Sequence, residues 1–383
     1  MLLCILILYP DAPRPTPKTV IAMPQHPESL EDQLSRYHNM VEYLSTQYDV
    51  PMFQRGDTRY PLYVQQPDSS QIGNVDSVCG ALPTKETPRP FEVVNHAHLS
   101  DMQNSGRNLF NGTTFALRRV RPRPLQIEAH LGRYFDMLAT CDAMKRELVD
   151  SAFRRTIRLP MRSLYHRSVG QLESLQSGSG RSAAIGGATL IVFNHNGTYK
   201  AMLAQRSRRN ATDPGFYHTV PAFIFGPRAA DFHPDEWRIS YHIYKEYLEE
   251  LFGMPELGPE APHDHFYGHP ALVDLQQMMA AGQAGLYLTG ILHDLTTLRP
   301  EISALILIHD ASWYERIHDP DNAFQLNAHA ETDDGQLLTF PIASDADVLA
   351  ALPDYHHLRM PPQGAGAMWL GIDLARQLTA EHK

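Results

Sequence analysis

The segment Asp235-Glu-Trp-Arg-Ile-Ser-Tyr-His-Ile-Tyr-Lys-Glu-Tyr-Leu-Glu-Glu-Leu-Phe-Gly-Met254 constrains this chain more than any other, because its apolar residues share a face only if it is helical. An α-helix turns by about 100° per residue. On that wheel Ile239, Ile243, Tyr244, Tyr247, Leu248 and Leu251 make one broad apolar face. Glu246, Glu249 and Glu250 fall within roughly 100° of one another on a different face, with His242 among them. Asp235 is placed to cap the start, and Gly253 to supply the left-handed residue that ends the helix. Three carboxylates at this spacing repel one another unless a cation or solvent screens them. Hard oxygen ligands held close together suit magnesium or manganese. A solvated acidic face has the same spacing, so the helix alone leaves both readings open.

The flanking sequence predicts a mixed sheet covered by helices. Ala188-Thr-Leu-Ile-Val-Phe193 has the pattern of a buried strand, and Asn194-His-Asn-Gly197 marks a hairpin into Tyr199–Gln205. Further strands are expected at Leu286–Leu295, Ile302–His309 and Leu337–Ile342, with helices near Pro270–Ala281, Asp345–Leu352 and Ala365–Leu378. The Gly/Ser stretch Gln176–Ser182 reads as a flexible boundary. Before it, residues 91–175 read as a small α+β module, with a strand at Thr113–Val120 and helical spacing over Ile127–Phe153. Residues 1–90 read as a partly irregular extension broken by one helix near Leu30–Gln47, with loops expected around Gln65–Arg89.

Composition narrows the partners. A formal net charge of −10 argues against a broad electrostatic grip on nucleic acid. Cys4, Cys79 and Cys141 lie far apart and form no disulfide or zinc framework, which fits a reducing, cytoplasmic setting. The apolar start Met1–Tyr9 lacks a basic flank and a cleavage site, and no later run approaches the roughly 20 apolar residues of a membrane helix. No membrane partner is expected; a homodimer is left open.

Around the acidic helix the chain resembles the Nudix superfamily, whose signature is Gly-x5-Glu-x7-Arg-Glu-U-x-Glu-Glu-x-Gly-U, with U a bulky aliphatic residue. Lys245-Glu-Tyr-Leu-Glu-Glu-Leu-Phe-Gly-Met254 follows its second half. Ala201-Met-Leu-Ala-Gln-Arg-Ser207 is similar to the strand that precedes the turn, and Phe216-Tyr-His-Thr-Val-Pro-Ala222 to the entry into it. Ala222-Phe223 replaces the Gly-Gly of the turn, Lys245 stands where Arg is usual, and Glu236 lies one residue upstream of the first box glutamate. The resemblance implies a Nudix-like α/β/α sandwich with a mixed sheet over 183–383. It further implies that Glu246, Glu249 and Glu250 bind Mg²⁺ or Mn²⁺, with Glu249 or Glu250 taking a proton from water.

The activity so implied is metal-dependent cleavage of the pyrophosphate bond in a nucleoside diphosphate linked to another group. The alternative is a catalytically inactive Nudix-fold protein that binds such a ligand or regulates through it. Arg206, Arg208 and Arg209 have the fork geometry to hold a diphosphate, and Phe223 could stack on a base. Salt bridges and core packing are the plainer roles for these side chains. Glu331 is a further possible ligand on the same resemblance. His263-Asp-His-Phe-Tyr-Gly-His269 gathers three histidines in a spacing that matches no zinc motif.

Overall fold

The computed structural model describes residues 29–85, 91–105, 109–152, 157–205, 215–256, 258, 260–327 and 337–381. The N-terminal part holds helix α1 (Leu30–Gln47), strands β1 (Met52–Arg55) and β2 (Thr58–Gln65), and short helices α2 (Ser69–Ile72) and α3 (His96–Gln103). Strands β3 (Thr113–Pro122) and β4 (Leu125–Arg133) follow, then α4 (Tyr134–Met137), α5 (Ala143–Ala152), α6 (Pro160–Val169) and α7 (Glu173–Gln176). The chain continues through β5 (Gly186–His195), β6 (Thr198–Gln205), β7 (Tyr217–Thr219), β8 (Ala222–Ile224), α8 (Ile239–Phe252) and α9 (Pro270–Ala280). Strands β9 (Ala284–Asp294) and β10 (Arg299–Ile308), helix α10 (Trp313–Arg316), strand β11 (Leu337–Pro341) and helices α11 (Asp345–Ala351) and α12 (Pro362–Glu381) complete it.

One mixed sheet runs β1-β2-β9-β10-β5-β6-β11, with β7 beside β6 and β8 beside β5. β10 and β5 are parallel, and β9 pairs β10 antiparallel. Side chains alternate across a strand, so each central strand feeds two cores. Ile191, Phe193, Ile302, Ala304 and Ile306 enter a core shared with α8 and α9. Leu190, Val192, Leu305 and Leu307 enter the opposite core, under Trp369 and Ile372 of α12. Helices thus cover both faces of the sheet, a mixed α/β sandwich. In β9 the alternation breaks once: Leu288 and Ile291 face the same core because the register with β10 slips between Ser303 and Ala304. Such a bulge puts one extra residue in a strand. Gly290 sits there, where a Cβ would lie 2.7 Å from the carbonyl oxygen of Gln65.

The Asn-Gly hairpin forms as expected, with Asn196 at φ 52° and Gly197 at φ 79° between β5 and β6. Three expectations change. Residues 127–133 are strand, because Leu125, Ile127 and Ala129 bury every second residue while β4 pairs with β3. Residues 52–65 join the sheet through β2, which pairs Leu62–Gln65 with β9, and Val75 and Val78 are buried in short helical turns. The Gly/Ser stretch is a packed seam: Arg181 is buried and donates to the carbonyls of Ser174, Ser177 and Leu298. Nearby, buried Arg162 of α6 donates to the Tyr48 hydroxyl at 2.8 Å and the Leu295 carbonyl at 2.9 Å, and also to the Thr296 carbonyl. No helix among the described residues is long and apolar enough to cross a membrane.

Candidate functional site

Helix α8 begins three residues later than its sequence suggests. Residues Pro234–Trp237 form a separate 3-10 turn, capped by His233 and Glu236, and α8 proper starts at Ile239. Pro234 at the first position and the reciprocal His233/Glu236 cap stabilise that turn on its own. Asp235 therefore lies inside the turn instead of capping α8. At the other end Gly253 stops the helix in the left-handed region, at φ 66°.

The acidic turn of α8 is set by Lys245. Its ammonium donates to Glu246 Oε1 at 3.0 Å and Glu249 Oε2 at 2.8 Å. All three side chains are largely withdrawn from water, with 10%, 17% and 13% of their area exposed for Lys245, Glu246 and Glu249. Two carboxylates share one ammonium, so the group carries a net negative charge in a poorly solvated place. Burial, and then the neighbouring Glu246, push the Glu249 carboxyl up to about 7, with Lys245 opposing the rise. Burial by itself would lower the Lys245 ammonium, but the two glutamates hold it above its ordinary value. Glu249 Oε1 is buried without a hydrogen-bond partner. Glu250 turns to the chain beside α8, where its carboxylate accepts the backbone N–H of Ala222 at 3.2 Å. That bond fixes α8 against the Val220-Pro221-Ala222 turn at the start of β8.

His242 lies apart from the glutamates. It is buried among Phe225, Phe223 and Tyr241, and its Nε2 bonds the Glu236 carbonyl at 2.8 Å. Burial pushes this imidazole down to about 3. Phe223 is half-buried in β8, its ring 6.0 Å from His242 at 24° and packed over Gly187. One face of the ring is thus committed to the protein. Arg206, Arg208, Arg209 and Glu331 lie outside the described residues. His293 bonds the side chain of Gln65, and Asp294 accepts from Thr296 and Thr297.

A second group of metal-ligating side chains comes together where the sequence shows no motif. Donor atoms of His233, Asp235 and His263 lie within 4.8 Å of one another, an arrangement able to coordinate a metal ion. Of the histidines clustered in the sequence at 263–269, only His263 takes part; His269 caps α9 by accepting from Ala271. The partners come from opposite ends of α8, which only the fold brings together.

A cavity able to take a small molecule lies elsewhere. It holds about 400 Å³ between α1, α5 and the segment before α12, with Tyr37, Phe216 and His357 beside Arg36, Lys145 and Arg146. Phe216 reaches it because β7 pairs with β6 and the Tyr217 N–H donates to the Arg359 carbonyl. Sequence reasoning gave no sign of this cavity, whose walls come from seven separate stretches of chain. No family model and no curated protein matches the chain.

Proposed function

We propose that the protein is a Nudix-type module that binds a nucleotide-like ligand without cleaving a pyrophosphate bond in it. One observation carries this: the Lys245 ammonium lies 3.0 and 2.8 Å from Glu246 and Glu249, in contact with the carboxylates that a divalent cation would use. An internal cation offsets part of the carboxylates' charge without a free energy of association, so Mg²⁺ must displace it to bind there. The Ala222-Phe223 replacement of the glycine pair and the 3-10 turn holding Glu236 point the same way. The strand, Pro-containing turn and acidic helix keep the order of a Nudix domain and are joined by the Glu250–Ala222 bond. The cavity beside α1 suits a ligand with a planar ring and an anionic group, since aromatic walls and cationic side chains meet in it.

Hydrolysis is the second reading, and Glu249 favours it: the carboxyl is raised to about 7 and its Oε1 is buried without a partner. The two readings separate in one assay. The protein is incubated with Mg²⁺ and ADP-ribose, NADH, dinucleoside polyphosphates or sugar nucleotides, and both thermal unfolding and products are followed. Stabilisation by one ligand class without products is expected. Mg²⁺-dependent release of phosphate-containing products, lost in Glu250→Gln, would establish the hydrolase.

A further inference from the structure

We propose that His233, Asp235 and His263 form a binding site for a transition metal ion of the zinc class, independent of the acidic turn of α8. The carboxylate of Asp235 lies beside both imidazoles, its Oδ2 3.4 Å from Nδ1 of His233 and 3.6 Å from Nε2 of His263. Bonds of about 2.0–2.1 Å to a tetrahedral ion place neighbouring ligands roughly 3.3 Å apart. Both distances from Asp235 are therefore already close to the edge of such a polyhedron. Two imidazole nitrogens and one carboxylate oxygen suit zinc and its first-row neighbours, whereas magnesium prefers oxygen donors.

The backbone that carries these side chains is held from behind. The Tyr241 hydroxyl donates to the His263 carbonyl at 2.9 Å, and the Arg228 guanidinium donates to the Ala261 carbonyl at 2.6 Å. Glu236 accepts the N–H of His233 at 3.1 Å and that of Arg228 at 2.9 Å. One set of contacts thus ties the 3-10 turn to the loop ahead of α9, the kind of outer support that keeps ligands in place. Arg238 approaches Asp235 through Oδ1 at 3.4 Å, leaving Oδ2 toward the imidazoles.

Coordination requires one movement. The two rings are stacked, 3.7 Å between centroids and 17° apart, and lone pairs in parallel planes do not meet at one point. One imidazole must turn about its side-chain bonds, and His233 must give up the 3.3 Å contact from the Asp235 N–H. Side-chain exposures of 47% for His233 and 30% for His263 leave room for that turn. Three protein donors at the surface leave the fourth position to water.

The untagged full-length chain, freed of metal by chelation, is titrated with Co²⁺ and followed by visible absorption, then challenged with Zn²⁺. One equivalent of Co²⁺ per chain with the intense bands of four-coordination is expected, displaced by Zn²⁺ and retained in excess Mg²⁺. His263→Ala and Asp235→Asn should each weaken binding by about 100-fold or more, because removing a ligand costs more than removing an outer-shell partner. His265→Ala, which alters a neighbouring histidine outside the trio, should leave it unchanged. Circular dichroism of the metal-free variants checks that the fold is kept. Uptake of no equivalent by the parent chain, or an equivalent that survives both ligand substitutions, overturns the proposal and leaves an imidazole–carboxylate clasp only.

Discussion

Lys245 decides what the acidic turn can do, and its removal is the most informative single change. In Lys245→Met the stem is kept and the ammonium is lost, leaving Glu246 and Glu249 facing each other with 17% and 13% exposure. A wholly buried pair broken in this way loses about 3–5 kcal/mol. Protonation of Glu249, already raised to about 7, relieves part of that cost. A loss of about 2–3 kcal/mol in urea unfolding at pH 8 is therefore predicted, shrinking as the pH falls below 7. Arg162→Met tests a different residue. It strips donors from the Tyr48 hydroxyl and from the Leu295 and Thr296 carbonyls, and should cost roughly 3–5 kcal/mol by the same measurement. A loss below about 1 kcal/mol would mean that water replaces the guanidinium.

Among the elements, α8 shows what local sequence can and cannot specify. Its apolar face and its Gly253 stop were legible, because helical periodicity and the left-handed glycine are properties of the segment itself. Its start was not, because the 3-10 turn is stabilised by His233 and Glu236 capping each other through side chains that look incidental in sequence. His242 was assigned to the acidic face by the wheel, yet three aromatic rings, Phe223 of β8, Phe225 just after it and Tyr241 of α8, close over it. Tertiary contacts made that decision. Strand β4 was masked by chance helical spacing through Leu131 and Tyr134, and only pairing with β3 selects the two-residue period. Gly253→Ala tests the helix stop. A side chain at φ 66° costs about 1–2 kcal/mol, and its Cβ would meet the Asn327 amide at 2.1 Å. A stability loss of that size or somewhat more is expected; an unchanged urea midpoint would show that the helix end relaxes freely.

At the scale of the molecule, the buried histidines set the response to acid. Burial pushes His242 and His293 down to about 3, and His166 and His356 to about 4. These imidazoles stay neutral in the fold, while in the unfolded chain they take up protons below about 6.5. The unfolded state then binds more protons, so the stability these histidines contribute is complete above pH 6.5 and declines as pH falls toward 4, outweighing the opposite, single contribution of the raised Glu249 carboxyl. Each fully buried imidazole contributes on the order of 3 kcal/mol to that decline between pH 7 and pH 4. Urea midpoints that stay flat from pH 7 to pH 5 would contradict it. The central sheet was legible across the chain because β5, β6, β9 and β10 carry continuous apolar runs between turns. The attachment of β1 and β2 to its edge was not, since polar residues such as Arg59 and Gln54 hide a short edge strand. The acidic trio was visible as a helical spacing, but neither the cavity beside α1 nor the His233–Asp235–His263 group was. Both are assembled from distant segments, and spacing along the chain carries no trace of them.

Calorimetric titration of Mg²⁺ into the parent chain and Lys245→Met puts the internal cation to its most direct trial. Binding at least tenfold tighter in Lys245→Met, abolished by adding Glu249→Gln, is the predicted result, with Mg²⁺ also restoring the stability lost on substitution. Tight Mg²⁺ binding by the parent chain that Lys245→Met leaves unchanged and Glu250→Gln removes would contradict it.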